Sequence, residues 1–189
     1  MTIHRSNMKE ILLDATETIV LKKGVAGLTF DAVAKEAGVS KGGVLHHFGS
    51  KDSLIEGMVI RGVNRWRSYY LALYENTPSG PGRMSRALLH NGFLDPDSWT
   101  EHYRANFSVL MSVVVQVPSM RSHIREAYSE LYTYLRDDGL VPGISELIGS
   151  VFDGVWLNWA LGFSDLDYEM LKRIQNQLAR LLPEPADAH

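Results

Sequence analysis

Val39-Ser-Lys-Gly-Gly-Val-Leu-His-His-Phe-Gly-Ser-Lys51 begins and ends on a helix cap. Ser40 offers a side-chain oxygen to the free N–H groups of a helix starting at Lys41, and Ser50 does the same for a helix starting at Lys51. The spacing predicts a short helix over 41–47, with Val44 and Phe48 on one inward side, broken by Gly49-Ser50. Just upstream, Thr29 caps a second short helix, with Asp31 in its first turn. Phe30, Val33, Ala34 and Ala37 form its apolar face, and Gly38 stops it. Only Gly38-Val39-Ser40 separates the two. Short helices joined by a three-residue, glycine-containing turn describe a helix-turn-helix.

That geometry places the second helix in a DNA major groove, with its N-terminal residues toward base edges. Here it begins Ser40-Lys41-Gly42-Gly43. Two helical glycines cost roughly 1 kcal/mol each relative to alanine. The compensating gain is close approach of the backbone to DNA, with N–H groups aimed at phosphate. Leu45 can touch a thymine methyl, and His46 and His47 can donate to phosphates or bases. Lys51, beside a helix N-terminus, suits a phosphate, and Thr29 is expected both to cap and to contact one.

Outward from this core the chain reads as helix throughout. Residues 5–23 are amphipathic through Met8, Ile11, Leu12, Ala15, Ile19 and Val20, with Lys22 and Lys23 in the last turn and Gly24 as the stop. A long helix follows over 51–75. Thr77-Pro78-Ser79-Gly80-Pro81-Gly82 is the strongest breaker. Helical segments are expected at about 83–94, 98–116, 119–138, 143–163 and 166–182, separated by Asp95-Pro96, Val117-Pro118, Asp138-Gly139 with Pro142, and Ser164-Asp165. No period-two alternation calls for a strand, and the tail 183–189 is expected to fray. The expected organisation is a DNA-binding domain at 1–50, a connecting helix at 51–75 and a C-terminal domain at 76–189.

Net charge is −3, but its distribution is uneven: residues 1–75 carry +2 and residues 76–189 carry −5. A basic front suits one end that meets phosphates. With no cysteine there is neither a disulfide framework nor a thiolate metal site. The polar start and the broken apolar run 107–117 give no signal peptide or membrane span, so a soluble cytoplasmic protein is expected. No cofactor and no metal are expected. Adjacent His46 and His47 point about 100° apart on a helix and rarely share an ion.

The stretch from Leu28 to Leu54 resembles the N-terminal signature of TetR-type (TetR/AcrR) regulators, which usually carry a run like Val-Ser-Lys-Gly-Thr-Leu-Tyr-Tyr-His-Phe-x-Ser-Lys. Residues 39–51 match at Val39, Ser40, Lys41, Gly42, His47, Phe48, Ser50 and Lys51. Leu45 and His46 depart from the family's aromatics, and Gly43 from its Thr or Asn. The resemblance implies an all-α, nine-helix, two-domain fold. It also implies a repressor that binds a palindromic double-stranded DNA operator as a homodimer and is released by a small molecule. The segments 137–140 and 152–162 resemble a C-terminal domain found in one branch of the family.

Two features of the C-terminal part bear on an effector. Trp99, Tyr103, Phe107 and Met111 recur at four-residue steps, which describes either core or, with Tyr128, Tyr132 and Trp156, the lining of a cavity for a flat hydrophobic molecule. Asp153 stands in an apolar helix, as a structural carboxylate or as the counter-charge of a cationic effector. Dimerisation is expected through helices 143–163 and 166–182. Ile144, Leu147, Ile148, Val151, Val155, Trp159 and Gly162 on one, with Leu166, Met170, Ile174, Leu178 and Leu181 on the other, form stripes that a four-helix bundle would bury. The alternative is that they cover only their own subunit. No catalytic residues are expected: hydrolase, P-loop, zincin and dinucleotide motifs are absent. The rival within the binding class is a helical DNA-binding protein or adaptor without an effector.

Overall fold

The computed structural model describes residues 2–93 and 99–183, without the side chains of residues 2–7, 91 and 102. Within those limits the chain forms nine α-helices and no strand: α1 (Thr2–Lys23), α2 (Phe30–Ala37), α3 (Lys41–His47), α4 (Lys51–Glu75), α5 (Arg83–Arg86), α6 (Glu101–Gln116), α7 (Arg121–Arg136), α8 (Ile144–Ala160) and α9 (Tyr168–Ala179). The Asp95-Pro96 break and the tail after Pro183 lie outside the described residues. Two compact units result: Met1–Asn64 with Ala105–Ile124, and Arg65–Arg104 with Arg125–His189. Helices α4, α6 and α7 contribute to both, and the 77–82 breaker lies inside the second.

In the first unit, α1 and α2 pack together and α2 packs on α3, around Leu12, Ile19, Val20, Leu28, Val33, Val44, Phe48, Leu54 and Val59. The α1 stripe is rotated from the sequence expectation. Ile11 is exposed, while Leu13 and Thr16 are buried. Thr16 is tolerated there because its hydroxyl donates to Leu12 O at 2.7 Å. One ion cluster locks α4 against α1: Arg61 meets Glu10 at 3.0 Å, Asp14 at 2.8 Å and Glu17 at 2.7 Å. Arg61 is only 9% exposed, and a guanidinium that dry needs such partners.

In the second unit, α5 is a single turn that widens into a π-helical turn, Ala87–Gly92. The expected uninterrupted helix over 83–94 is therefore not formed. Asp138 caps its start, accepting from Met84 N (2.8 Å), Ser85 N (2.9 Å) and Ser85 Oγ (2.6 Å). The π geometry disturbs the backbone ladder, and buried Gln175 of α9 donates to Leu89 O at 2.8 Å. Helices α7 and α8 approach closely at Gly149, where a Cβ would fall 2.7 Å from Leu135 Cδ1.

The expected dimer stripes divide. Ile148, Trp159 and Leu178 are buried in their own unit, Leu147, Gly162 and Leu181 are exposed, and Ile144, Val151, Val155, Leu166, Met170 and Ile174 are half-buried. No described helix is long and apolar enough to cross a membrane.

Candidate nucleic-acid interface and effector pocket

Each cap read from the sequence is made. Thr29 Oγ1 accepts from Ala32 N at 3.1 Å, and Ser40 Oγ accepts from Gly43 N at 3.1 Å. Gly38 takes the left-handed conformation, φ +68°, that closes α2. With Val44 and Phe48 buried, α3 turns Lys41, Gly42, Leu45 and His46 outward, and Ser40 and Thr29 lie exposed beside them. Gly43, His47 and Lys51 are half-buried. Leu45 is 43% exposed, a large apolar side chain on a surface of donors.

The two lysines are held differently. Lys41 Nζ pairs with Asp31 of α2 at 2.8 Å, both ends well exposed, so a phosphate can compete for it at little cost. Lys51 Nζ donates to Val25 O at 2.8 Å, in the 3₁₀ turn after α1. It ties that turn to the start of α4. The rings of His46 and His47 meet edge to face at 5.1 Å. A Cβ on Gly42 or Gly43 would meet nothing nearer than 3.4 Å. The helix has room for alanine at both positions, so the fold itself does not demand glycine.

The expected aromatic stripe does not form one surface. Trp99 precedes α6, is buried, and donates from Nε1 to Phe93 O at 3.1 Å. Tyr103 is exposed and lies 6.2 Å from Tyr69. Phe107 and Met111 belong to the first unit. Trp156 packs edge-on to Trp159 at 6.0 Å.

Tyr128 and Tyr132, expected at a cavity, do come together in the second unit, with Trp66, which was not expected there. Trp66 stacks on Tyr128 at 4.8 Å (28° between planes), and Tyr128 stacks on Tyr132 at 6.4 Å (24°). Beside this stack is an internal cavity of only about 10 Å³, lined by Trp66, Tyr69, Tyr70, Leu88, Leu131, Tyr132, Gly149, Phe152 and Asp153. The signal was present in Trp66-x-x-Tyr69-Tyr70, three aromatics at i, i+3 and i+4 of α4. It was missed because that helix was read as a connector.

Asp153 is the one charged group of this lining. Burial pushes its carboxyl up to about 6, although a hydrogen bond from Tyr128 acts in the opposite sense. Burial and the adjoining Asp153 raise the Tyr128 phenol as well. Tyr70 is pushed up to about 12, first by burial and then by nearby Glu130. Its hydroxyl is buried near the Arg67–Glu130 ion pair (2.7 Å) yet makes no hydrogen bond of normal geometry among the described residues.

Residues 12–58 match the family model described as bacterial regulatory proteins, tetR family, and residues 82–183 match the tetracyclin repressor-like C-terminal domain. Among curated relatives, the HTH-type transcriptional regulator BetI of Burkholderia thailandensis is 29% identical, the match covering 94% of this chain and 96% of that one. BetI of Escherichia coli strain UMN026 is 25% identical, over 82% and 84%. Among solved structures, the multidrug binding protein EbrR complexed with malachite green superimposes with a TM-score of 0.67 at 24% identity, covering 93% of this chain and 98% of that one. A TetR-family member from Streptomyces coelicolor gives 0.66 at 24% identity, over the same shares. With the family models matching both its parts, the chain belongs to the TetR family of bacterial transcriptional regulators, which are DNA-binding proteins and not enzymes.

Proposed function

We propose that this protein is a cytoplasmic, dimeric repressor that binds a palindromic operator through α3 and leaves it when a flat, hydrophobic organic cation enters the second unit. In this reading residues 1–50 bind DNA, 51–75 connect, and 76–189 bind effector and dimerise. The observation that carries it is the outward face of α3: Lys41, Gly42, Leu45 and His46, built on two made caps. Such a face puts backbone and donors toward phosphates and Leu45 toward a base methyl, with Thr29, Gly43, His47 and Lys51 at its margin. Selection of bound DNA from a random pool tests it. A palindrome with half-sites about 34 Å apart, or a simple variant of that spacing, is expected, and recovery of unrelated sequences would refute specific binding.

Dimerisation is assigned to the exposed face of α8 and α9. Leu147, Gly154, Leu161 and Leu181 are exposed and Val151, Met170 and Ile174 half-buried at helical steps there, and a Cβ on Gly154 would meet open space. A small residue in the middle of an exposed apolar stripe lets a second copy come close. Leu147→Glu with Leu181→Glu is expected to give monomers by sedimentation without loss of helix content.

The effector reading rests on the Trp66–Tyr128–Tyr132 stack beside Asp153. Aromatic faces attract cations by about 0.5–2 kcal/mol, and a carboxylate without a cation draws one. EbrR, similar in fold, was crystallised with malachite green and with ethidium. A hundredfold release of DNA needs about 2.7 kcal/mol of coupling. A panel of cationic dyes scored by operator binding tests this. A second reading, DNA binding with no effector, draws on the cavity being almost filled. Dyes that bind yet leave operator affinity unchanged would favour it.

A further inference from the structure

The Asp153 pocket carries an inference that rests on the effector reading and deepens it. Its lining offers one carboxylate and no Lys, Arg or His. Tyr69 and Tyr70 face it from α4, and Tyr132 from α7; Tyr128, also on α7, donates the hydrogen bond to the carboxylate. Leu88 reaches it from the π turn. Arg67 of α4 and Glu130 of α7 pair with each other at 2.7 Å. Phenols stay neutral at physiological pH, so among the described lining residues a negative Asp153 has no positive partner. A phenolic hydrogen bond offsets only part of the cost of an ion held away from water.

We propose that this pocket exchanges one proton for one organic monocation at Asp153, so that effector uptake releases a proton and acid blunts the response of the regulator. Below about pH 6 the carboxyl sits protonated and neutral in the pocket; above it the ligand meets the carboxylate already formed. When a cation slides against the Trp66–Tyr128–Tyr132 stack below that pH, the proton passes to solvent and the carboxylate becomes its counter-ion. One carboxylate balances one positive charge, so the same site discriminates against dications, whose second charge would stay unpaired among rings.

The test uses the full-length protein and ethidium, a permanently charged monocation. Binding is followed by tryptophan quenching from pH 5 to 8, and proton release by calorimetry in buffers of different ionisation enthalpy. A carboxyl that titrates near 6 makes binding about tenfold weaker at pH 5 than at pH 8. Close to one proton should be released at pH 5 and almost none at pH 8. Asp153→Asn should bind weakly with no pH dependence. Tyr128→Phe keeps the carboxylate but removes a hydrogen bond that favours its charge, so its pH midpoint should move up. It decides the matter should Asp153→Asn not fold. Tight binding with a flat pH profile in the wild type, or unchanged binding by Asp153→Asn, overturns the exchange but leaves the effector reading intact. Absence of ethidium binding at every pH overturns both.

Discussion

Thr29 to Lys51 makes its surface from one uninterrupted run of chain, whereas the aromatic pocket draws Trp66, Tyr128 and Asp153 from α4, α7 and α8. In the first region the contacts that shape α2 and α3 are local. Thr29 reaches Ala32, Ser40 reaches Gly43, and Lys41 reaches Asp31. In the second, no single helix makes the site, and its contributions from α4, the π turn, α7 and α8 meet only after the helices have packed. The first is exposed and ready for a partner of fixed shape. The second is filled by its own side chains and must rearrange to admit anything. A surface that reads DNA can be specified by caps and turns; a pocket that senses a molecule depends on tertiary packing.

The sharpest way to break this contrast is at the DNA surface. Replacing Lys41, His47 and Lys51 together with alanine should lower operator affinity about a thousandfold, roughly 4 kcal/mol. The salt dependence should flatten by about two units if both lysines meet phosphates. Fluorescence anisotropy at several salt concentrations measures both, and unchanged binding would remove α3 from the interface.

Next in size is the clamp behind that surface. Arg61→Met leaves Glu10, Asp14 and Glu17 facing one another, and should destabilise the fold by about 2–3 kcal/mol in urea. Hydrogen exchange should rise first in α1. Equal loosening of the Tyr128 region would mean the two regions are not separable.

Asp153→Asn probes the other side of the comparison. The folded carboxyl is raised above its unfolded value, so its contribution to stability is fully present below about pH 4 and is lost as pH rises through about 6. The wild type should therefore be at a disadvantage of about 1–2 kcal/mol at pH 7.5 that the asparagine variant relieves. Thermal melts at pH 5 and 7.5 should show the variant's relative gain growing with pH, roughly half of it already present at pH 5.

The smallest effect separates fold from function most cleanly. Gly42→Ala and Gly43→Ala should each stabilise the free protein by up to about 1 kcal/mol, because helical alanine is favoured and the space exists. Each should also weaken operator binding, because the methyl sits where the backbone approaches DNA. Melting and anisotropy read the two signs independently. Stabilisation with undiminished binding would show that the glycines do not serve close approach.

The difference between the regions also explains what the sequence revealed. Gly38, Ser40 and Gly49-Ser50 act on their immediate neighbours, so α2, α3 and the turn between them could be read residue by residue. The aromatic pocket was legible only in part: Tyr128, Tyr132 and Asp153 were expected at a cavity, Trp66, Tyr69 and Tyr70 were not. The four-residue rhythm of Trp99, Tyr103, Phe107 and Met111 suggested one face, but α6 begins at Glu101 and its residues divide between two units. Periodicity finds the residues of a stripe without saying which neighbour covers each one. Leu178 was counted with the dimer stripe and is buried in its own unit, while Leu181, one turn on, is exposed. A charge at Leu178 would test folding, not association. The π turn left no local mark, since its support, Gln175, comes from the far end of the chain.

The near-absence of free volume beside Asp153 has a kinetic meaning. On the effector reading proposed above, a ligand finds only about 10 Å³ of free space and must wait for the ring stack to part. Its observed association rate should rise with concentration and then level off at the opening rate. The apparent affinity is the intrinsic one reduced by the fraction of molecules that are open. A regulator built this way ignores brief, low exposures and answers sustained ones, and a substitution such as Trp66→Ala, which thins the stack, should make it both quicker and less discriminating.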